Sequence, residues 1–267
     1  MSSIVRNRWK RLASSIQCKK QNLFSQNLFL YDYFYYKVSS DKLWISVYEK
    51  SSNCYLFDIT FIEPISSLKD LVGFNNTGNT RIWPSEEMLA IYIQKNNYIV
   101  KDAKTICELG GGMTCFASLY INVKYNPEFN LLTDGNERSI KNLQNILLKN
   151  DKLNNCSVFQ LLWNESNNRN VEWIKHFDVI LCSDCFFFIE FHDDILNCVD
   201  LLLSEKGKFI ACAPSRNNTF DLFVNKAQQK NFSVFVDEKF EKTLNKNQSN
   251  HESYDPPKVL ILTRICD

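Results

Sequence analysis

Cys107-Glu108-Leu109-Gly110-Gly111-Gly112-Met113-Thr114 decides how the rest of this chain is read. Thr105 and Ile106 lead into it as a strand that ends on an acid. Three glycines follow, and then a segment able to open a helix. Such a strand–loop–helix turn lets bare backbone approach a ligand closely. The acid at the strand end narrows the choice of ligand. A phosphate loop would present N–H groups and a cation there, not a carboxylate. Glu108 instead suits a ligand with hydroxyls or positive charge. Further on, Leu131-Leu132-Thr133-Asp134 ends a second apolar run in an acid, where a ribose-binding carboxylate is expected.

Strands and helices alternate outward from this turn. Strand Lys104–Leu109 leads to a helix over Met113–Asn122, and strand Asn130–Asp134 to a helix over Glu137–Asn150. Strands follow at Ser157–Leu161 and at Phe177–Ser183, the latter apolar enough to be central. A helix over Asp193–Leu203 meets a stop at Glu205-Lys206-Gly207. Strand Lys208–Ala213, helix Thr219–Lys230, strand Ser233–Asp237 and strand Lys258–Arg264 complete the series. Repeated βα units predict a parallel, doubly wound sheet with right-handed crossovers. No helix separates the last two strands, so they pair antiparallel. Before the series, a helix opens with Ser85 as N-cap and Glu86 and Glu87 in its first turn. An aromatic-rich stretch, with strands at Leu28–Val38, Leu43–Tyr48 and Cys54–Ile62, forms a small N-terminal β region. The asparagine clusters at Asn75–Asn79, Asn164–Asn170 and Leu244–Asn250 read as turns and loops.

Composition sets outer bounds. The chain has 267 residues, 45% hydrophobic and 23% charged, enough for one sizeable core in an ordinary soluble globular protein. A net charge of +1 argues against a dedicated nucleic-acid binder. No apolar run is long enough to span a membrane. The basic stretch Met1–Lys20 has no apolar segment after it, so it is no secretory signal. Ten cysteines in a chain this long point to buried free thiols and a reducing compartment. Cys182 and Cys185 form a CxxC, but His176, His192 and His251 lack the spacing to complete a zinc site.

Four stretches, in order and on the expected elements, carry a resemblance. They are Ile82-Trp83-Pro84-Ser85-Glu86-Glu87, the glycine loop through Cys115, Leu131 to Glu137, and Asp184-Cys185-Phe186-Phe187. Together they resemble the seven-β-strand protein-lysine methyltransferases, and within them the branch acting on calmodulin. Asn76-Thr77-Gly78-Asn79, Ala213 to Thr219 and Val259 to Thr263 point the same way. The resemblance covers roughly residues 75–267. It implies a Rossmann-like Class I methyltransferase sheet of seven strands over 76–267, its last strand antiparallel, with residues 1–75 as a β-rich accessory region. Two departures stand out: Thr114 takes the place of a third alternating glycine, and Phe187 replaces the usual tyrosine of the acid-x-x-aromatic motif.

What the resemblance implies for the site can be set beside the plainer alternatives. S-adenosylmethionine is the cofactor. Gly110, Gly111 and Gly112 touch its methionine portion, with Glu108 near the amino-acid end unless Glu108 only caps the next helix. Asp134 takes both ribose hydroxyls, or is merely a turn former before Gly135. Asn136 covers the adenine or caps the next helix. Trp163 stacks on the adenine, the plainer alternative being a core ring, and Trp83 lies beside the cofactor or staples the following helix onto the sheet. Ser183 and Asp184 end a central strand at the crevice. Asp184 is the catalytic candidate that orients the lysine amine, with Phe187 beside it. Phe186, Phe188 and Arg216 line the substrate channel, at least one of the phenylalanines being core. An aromatic wall tolerates methylated ammonium groups, so repeated methylation up to trimethyl-lysine fits. The implied partner is calmodulin, docked through basic residues such as Arg6, Arg8, Lys10, Arg11, Lys19 and Lys20. No metal, nucleic acid or membrane is expected, and a cytoplasmic or nuclear monomer is. Rival readings are a methyltransferase for another protein lysine, a calmodulin-binding pseudo-enzyme, and a nicotinamide oxidoreductase.

Overall fold

The computed structural model describes residues 28–61, 81–164, 173–246 and 255–265. Seven strands form one sheet in the order β6-β5-β4-β7-β8-β10-β9. These are β4 (Thr105–Leu109), β5 (Phe129–Asp134), β6 (Cys156–Gln160), β7 (Phe177–Ser183), β8 (Leu203–Pro214), β9 (Phe232–Asp237) and β10 (Pro257–Arg264). β4 pairs parallel with both β5 and β7. β10 is antiparallel to β8 and to β9, as the missing crossover helix requires. The order reverses at β4, so the crevice lies at the carboxyl ends of β4 and β7, where Leu109 pairs with Cys182.

Alternation along the central strands sorts side chains to two faces. Ile106, Val179, Leu181, Ile210 and Cys212 enter one core; Cys107, Ile180, Cys182, Phe209 and Ala211 enter the other. Helices α1 (Pro84–Lys95) and α2 (Phe116–Tyr125) contribute to the first, and α4 (His192–Leu202) and α5 (Thr219–Gln229) to the second. Helix α3 (Glu137–Lys149) packs against β5 and β6.

The N-terminal strands β1 (Phe34–Val38), β2 (Ile45–Glu49) and β3 (Cys54–Ile59) form an antiparallel meander. Its inner face joins the first core. Phe29, Phe34 and Phe57 surround the Phe116 ring at centroid distances of 5.4, 5.2 and 5.6 Å. Glu49 extends the docking with polar contacts. It accepts from Gln94 at 2.6 Å, Tyr120 at 3.2 Å and Lys124 at 2.8 Å. The meander therefore backs the helix that starts at the glycine loop.

Several boundaries differ from expectation, each for a local reason. Residues 28–33 are not part of the first strand: Leu30 and Tyr31 donate their backbone N–H groups to the Glu87 carboxylate, and Asp32 donates to the Asn245 carbonyl. Ser85 is not an N-cap. Trp83 holds that position, because Pro84 with its fixed φ starts the helix, and the Glu86 carboxylate accepts the Trp83 N–H at 3.0 Å. Helix α2 starts at Phe116 rather than Met113, after a left-handed Cys115 with φ 45°. Gly207 does not stop a helix. It lies in the irregular start of β8, where a Cβ would come within 2.8 Å of the Phe177 carbonyl. The N-terminal basic residues, the Asn75–Asn79 loop, His251 and most of the Asn164–Asn170 and Leu244–Asn250 clusters lie outside the described residues.

Candidate active site

The glycine loop is shaped by its neighbours. Gly110 and Gly112 both take φ +61°, a conformation that side-chain-bearing residues resist. A Cβ on Gly110 would sit 2.8 Å from the Trp163 ring and 2.9 Å from the Cys185 thiol. Trp163 thus lies directly against the loop. Gly111 has a different reason to be glycine: its Cβ would meet the Cys115 thiol at 2.3 Å and the Cys115 Cα at 3.0 Å. Close packing within the turn is enough to require glycine at that position.

Asp134 bridges the two loops at the crevice. Its Oδ2 accepts the Gly112 N–H at 2.9 Å and its Oδ1 accepts the Asn136 N–H at 2.8 Å. A carboxylate oxygen can accept more than one donor, so the group can still take a hydroxyl. Burial raises its pKa to about 6, against the lowering effect of those two N–H groups and of the Ser139 side chain. Asn136 is the N-cap of α3, its Oδ1 accepting from Arg138 at 2.8 Å and Ser139 at 3.2 Å. Glu108 likewise caps a helix: Oε2 accepts the Ser118 N–H of α2 at 2.9 Å. Its other oxygen is buried with no hydrogen-bond partner, and burial pushes its pKa up to about 7. Ser183 ends β7 with its hydroxyl buried and likewise without a partner.

Asp184 follows in a left-handed conformation with φ 55°, its N–H held by the Cys212 carbonyl at 2.8 Å. Its Oδ2 lies 3.1 Å from the Arg216 guanidinium. Burial raises its pKa, and Arg216 and then Arg81 pull it back. The Arg216 guanidinium carbon stands 5.9 Å from the centre of the Phe187 ring, and Phe188 packs beside Phe187 at 4.6 Å. Arg81 lies over the Trp83 ring at 4.7 Å. Phe186 departs from this group. It is 1% exposed and stacks on Phe223 at 3.8 Å, so it belongs to the core and not to a channel. His192 Nε2 contacts the Phe186 carbonyl at 2.9 Å and anchors the turn from beneath.

The sequence placed Glu86 in the first turn of a helix and Thr114 where a third glycine was expected, without joining the two. Glu86 is 4% exposed and accepts from both Trp83 and the Thr114 hydroxyl. Burial raises its pKa well above normal, and the charges of Glu108 and Asp184 raise it further. Thr114 is the residue that replaced a third glycine, so a hydrogen bond accounts for the departure. No sequence pattern separates such an acid from a solvated one. The Cys182–Cys185 pair is ordinary by comparison. Both thiols are free and buried, and the Cys182 side chain and burial push the Cys185 thiol up, opposite to a redox thiolate. Among the described residues no group of metal-ligating side chains gathers, and no helix is long and apolar enough to cross a membrane.

These features fit S-adenosylmethionine. The loop leaves no room for a side chain at Gly110, two buried oxygens lack partners, and the Asp134 carboxylate can still take a hydroxyl. Glu86, Glu108, Asp134 and Asp184 are all held toward protonation by burial, a condition that a cationic ligand relieves.

Comparison with known proteins agrees. A family model described as lysine methyltransferase matches residues 70–230. A calmodulin-lysine N-methyltransferase from Arabidopsis thaliana is 26% identical over 211 residues, covering 72% of this chain and 68% of that protein. The METTL16 methyltransferase domain superposes with a TM-score of 0.50 at 11% identity, covering 68% of this chain and 84% of that one. A precorrin-6y C5,15-methyltransferase from Geobacter metallireducens gives 0.49 at 16% identity, covering 67% and 88%. At 11% identity the METTL16 domain speaks to the fold alone.

Proposed function

The chain belongs to the lysine methyltransferase family and depends on S-adenosylmethionine, and from this we propose that it methylates a lysine side chain of calmodulin. One observation carries the lysine reading: the Asp184 carboxylate at the end of β7 faces a cation beside the Phe187 ring. A carboxylate and an aromatic face together suit an ammonium group and its methylated forms. The relative that acts on calmodulin and the order of the four sequence motifs support the acceptor.

Bound at the glycine loop, S-adenosylmethionine supplies an electrophilic methyl group on a sulfonium. This chain's residues do the rest. Asp134 accepts the ribose hydroxyls, Trp163 covers the adenine, and Gly110 and Gly112 admit the methionine portion. Ser183 and Trp83 close the crevice around it. The attacking amine must be neutral, although a free lysine has a pKa of about 10.4. A desolvated seat and the nearby positive charge lower that value. Asp184 holds the amine in line, and orientation supplies much of the rate. Phe187 and Phe188 keep water away.

The test incubates purified protein with radiolabelled S-adenosylmethionine and unmodified calmodulin, beside Asp134→Ala and Asp184→Ala. Label on calmodulin that disappears in both variants supports the reading. Label that survives both removes the residue assignments. Label found only on a chaperone or an elongation factor moves the acceptor and leaves the chemistry.

A further inference from the structure

Arg216 meets the contacts that a substrate lysine needs. Its guanidinium lies 3.1 Å from Asp184 Oδ2 and 5.9 Å from the centre of the Phe187 ring. These are the carboxylate and the aromatic face assigned above to the incoming amine. Asp184 has only 11% of its side chain exposed, so there is little room for two cations on it at once. Arg216 enters from outside, with 32% of its side chain exposed. It starts the short turn Arg216–Asn218 between β8 and α5, where Asn217 and Asn218 both have positive φ, at 54° and 62°. Arg81, the other cation acting on Asp184, lies over the Trp83 ring at 4.7 Å.

We propose that Arg216 is a tethered stand-in for the substrate ammonium, seated on Asp184 and Phe187, which an acceptor lysine must displace before methylation. The proposal rests on the lysine reading of this site. It makes the loop after β8 a specificity element. An acceptor whose lysine cannot compete for the carboxylate is turned away, and the seat stays filled between turnovers. A partly exposed ion pair is a weak competitor, so displacement raises KM for the acceptor without blocking the reaction. It also has a chemical corollary. A primary amine placed on the Arg216 tether reaches the seat without any acceptor. Its nitrogen lone pair forms the bond to the methyl carbon while the carbon–sulfur bond breaks. That electron pair goes to sulfur, leaving S-adenosylhomocysteine, and the amine proton leaves to water.

The decisive variant is Arg216→Lys, incubated as full-length protein with S-adenosylmethionine alone and read by intact mass and peptide mapping. Methyl groups at position 216, absent from wild type and lost when Asp184→Ala is added, are the expected result. Arg216→Ala provides a second readout, lowering KM for the acceptor about fivefold, the equivalent of one weak ion pair. No methyl group at position 216, in a preparation whose wild type methylates an acceptor protein, overturns the proposal. So does a KM that rises in Arg216→Ala, which makes Arg216 a docking residue instead. If wild type transfers methyl groups only to acceptors other than lysine, the reading of the site falls, and the stand-in with it.

Discussion

The Thr114 hydroxyl donates to the Glu86 carboxylate at 3.2 Å, tying the glycine loop to the first turn of α1. The same carboxylate accepts the Trp83 N–H, so one buried acid fixes both the loop and the tryptophan at the entry to the crevice. Thr114→Val keeps the side-chain shape and removes the donor. The buried acid then loses a partner, at a cost of about 1–3 kcal/mol. Urea denaturation of Thr114→Val, Glu86→Gln and the double variant reads the coupling as a double-mutant cycle. Strict additivity of the two changes would show that the bridge contributes nothing.

Asp134 has to be ionised to accept two hydroxyls well, and its pKa stands near 6. Cofactor affinity should therefore climb as pH rises from 5 to 8 through about 6. Hydrogen bonds to a charged acceptor are worth about 1.5–3 kcal/mol, so Asp134→Asn weakens binding at the upper pH by about tenfold or more. At the lower pH the wild-type carboxyl is itself neutral, and the gap narrows. Calorimetric titration with S-adenosylmethionine at both pH values decides it. An equal loss at both rules out the carboxylate as the ribose acceptor.

Glu108 titrates in the same direction. Its folded pKa of about 7 lies above the ordinary 4.5, so the stability it lends is full below 4.5 and is lost as pH rises through about 7. The full difference corresponds to about 3 kcal/mol. Glu108→Gln should flatten the fall in thermal stability of the cofactor-free protein between those limits. Adding S-adenosylmethionine should also flatten it in wild type, because a positive ligand favours the charged acid. An unchanged slope in Glu108→Gln assigns that pH dependence to other groups.

Much of this architecture could be read from the chain, and the physical reason is periodicity. β7 was legible to the residue because Phe177–Ser183 is apolar on both faces, as a strand between two helical layers must be. The antiparallel β10 followed from a missing crossover. What stayed hidden depends on contacts between distant residues. Glu86 and Glu87 are adjacent acids in one helical turn, yet one holds Thr114 and the other holds Leu30 and Tyr31, some fifty-six residues earlier in the latter case. Phe186, Phe187 and Phe188 are chemically identical; only α5, bringing Phe223 against the first, separates core from rim. Asn136 could cap or cover, and the α3 N–H groups claim it.

Glu87 is a latch for the N-terminal meander. It is 1% exposed and takes the N–H of Leu30 at 2.7 Å and of Tyr31 at 3.0 Å. Burial holds its pKa well above normal. Glu87→Ala leaves two buried donors without acceptors, a loss of about 2–4 kcal/mol. Hydrogen exchange gives the local signature: the Leu30 and Tyr31 amides should lose protection before the strands of the large sheet do. Uniform loss across the protein would mean that the meander and the sheet open as one unit, without a separate latch.

Gly110 and Gly111 are neighbours with different reasons to be glycine, and alanine at each should separate them. At Gly110 the new methyl group strikes the Trp163 ring and the Cys185 thiol, and the positive φ adds strain of about 1–2 kcal/mol. The ring can move, so the expected outcome for Gly110→Ala is a displaced Trp163, a changed tryptophan emission and a cofactor affinity lowered well beyond the change in stability. At Gly111 the methyl group meets the thiol and Cα of Cys115, whose backbone forms the N-cap of α2. Backbone yields less readily than a ring, so Gly111→Ala should lower the melting temperature more than Gly110→Ala does. Melting curves and cofactor titrations on the two variants check the pair. If Gly111→Ala lost affinity while keeping full stability, the loop would be touching the cofactor at Gly111 after all.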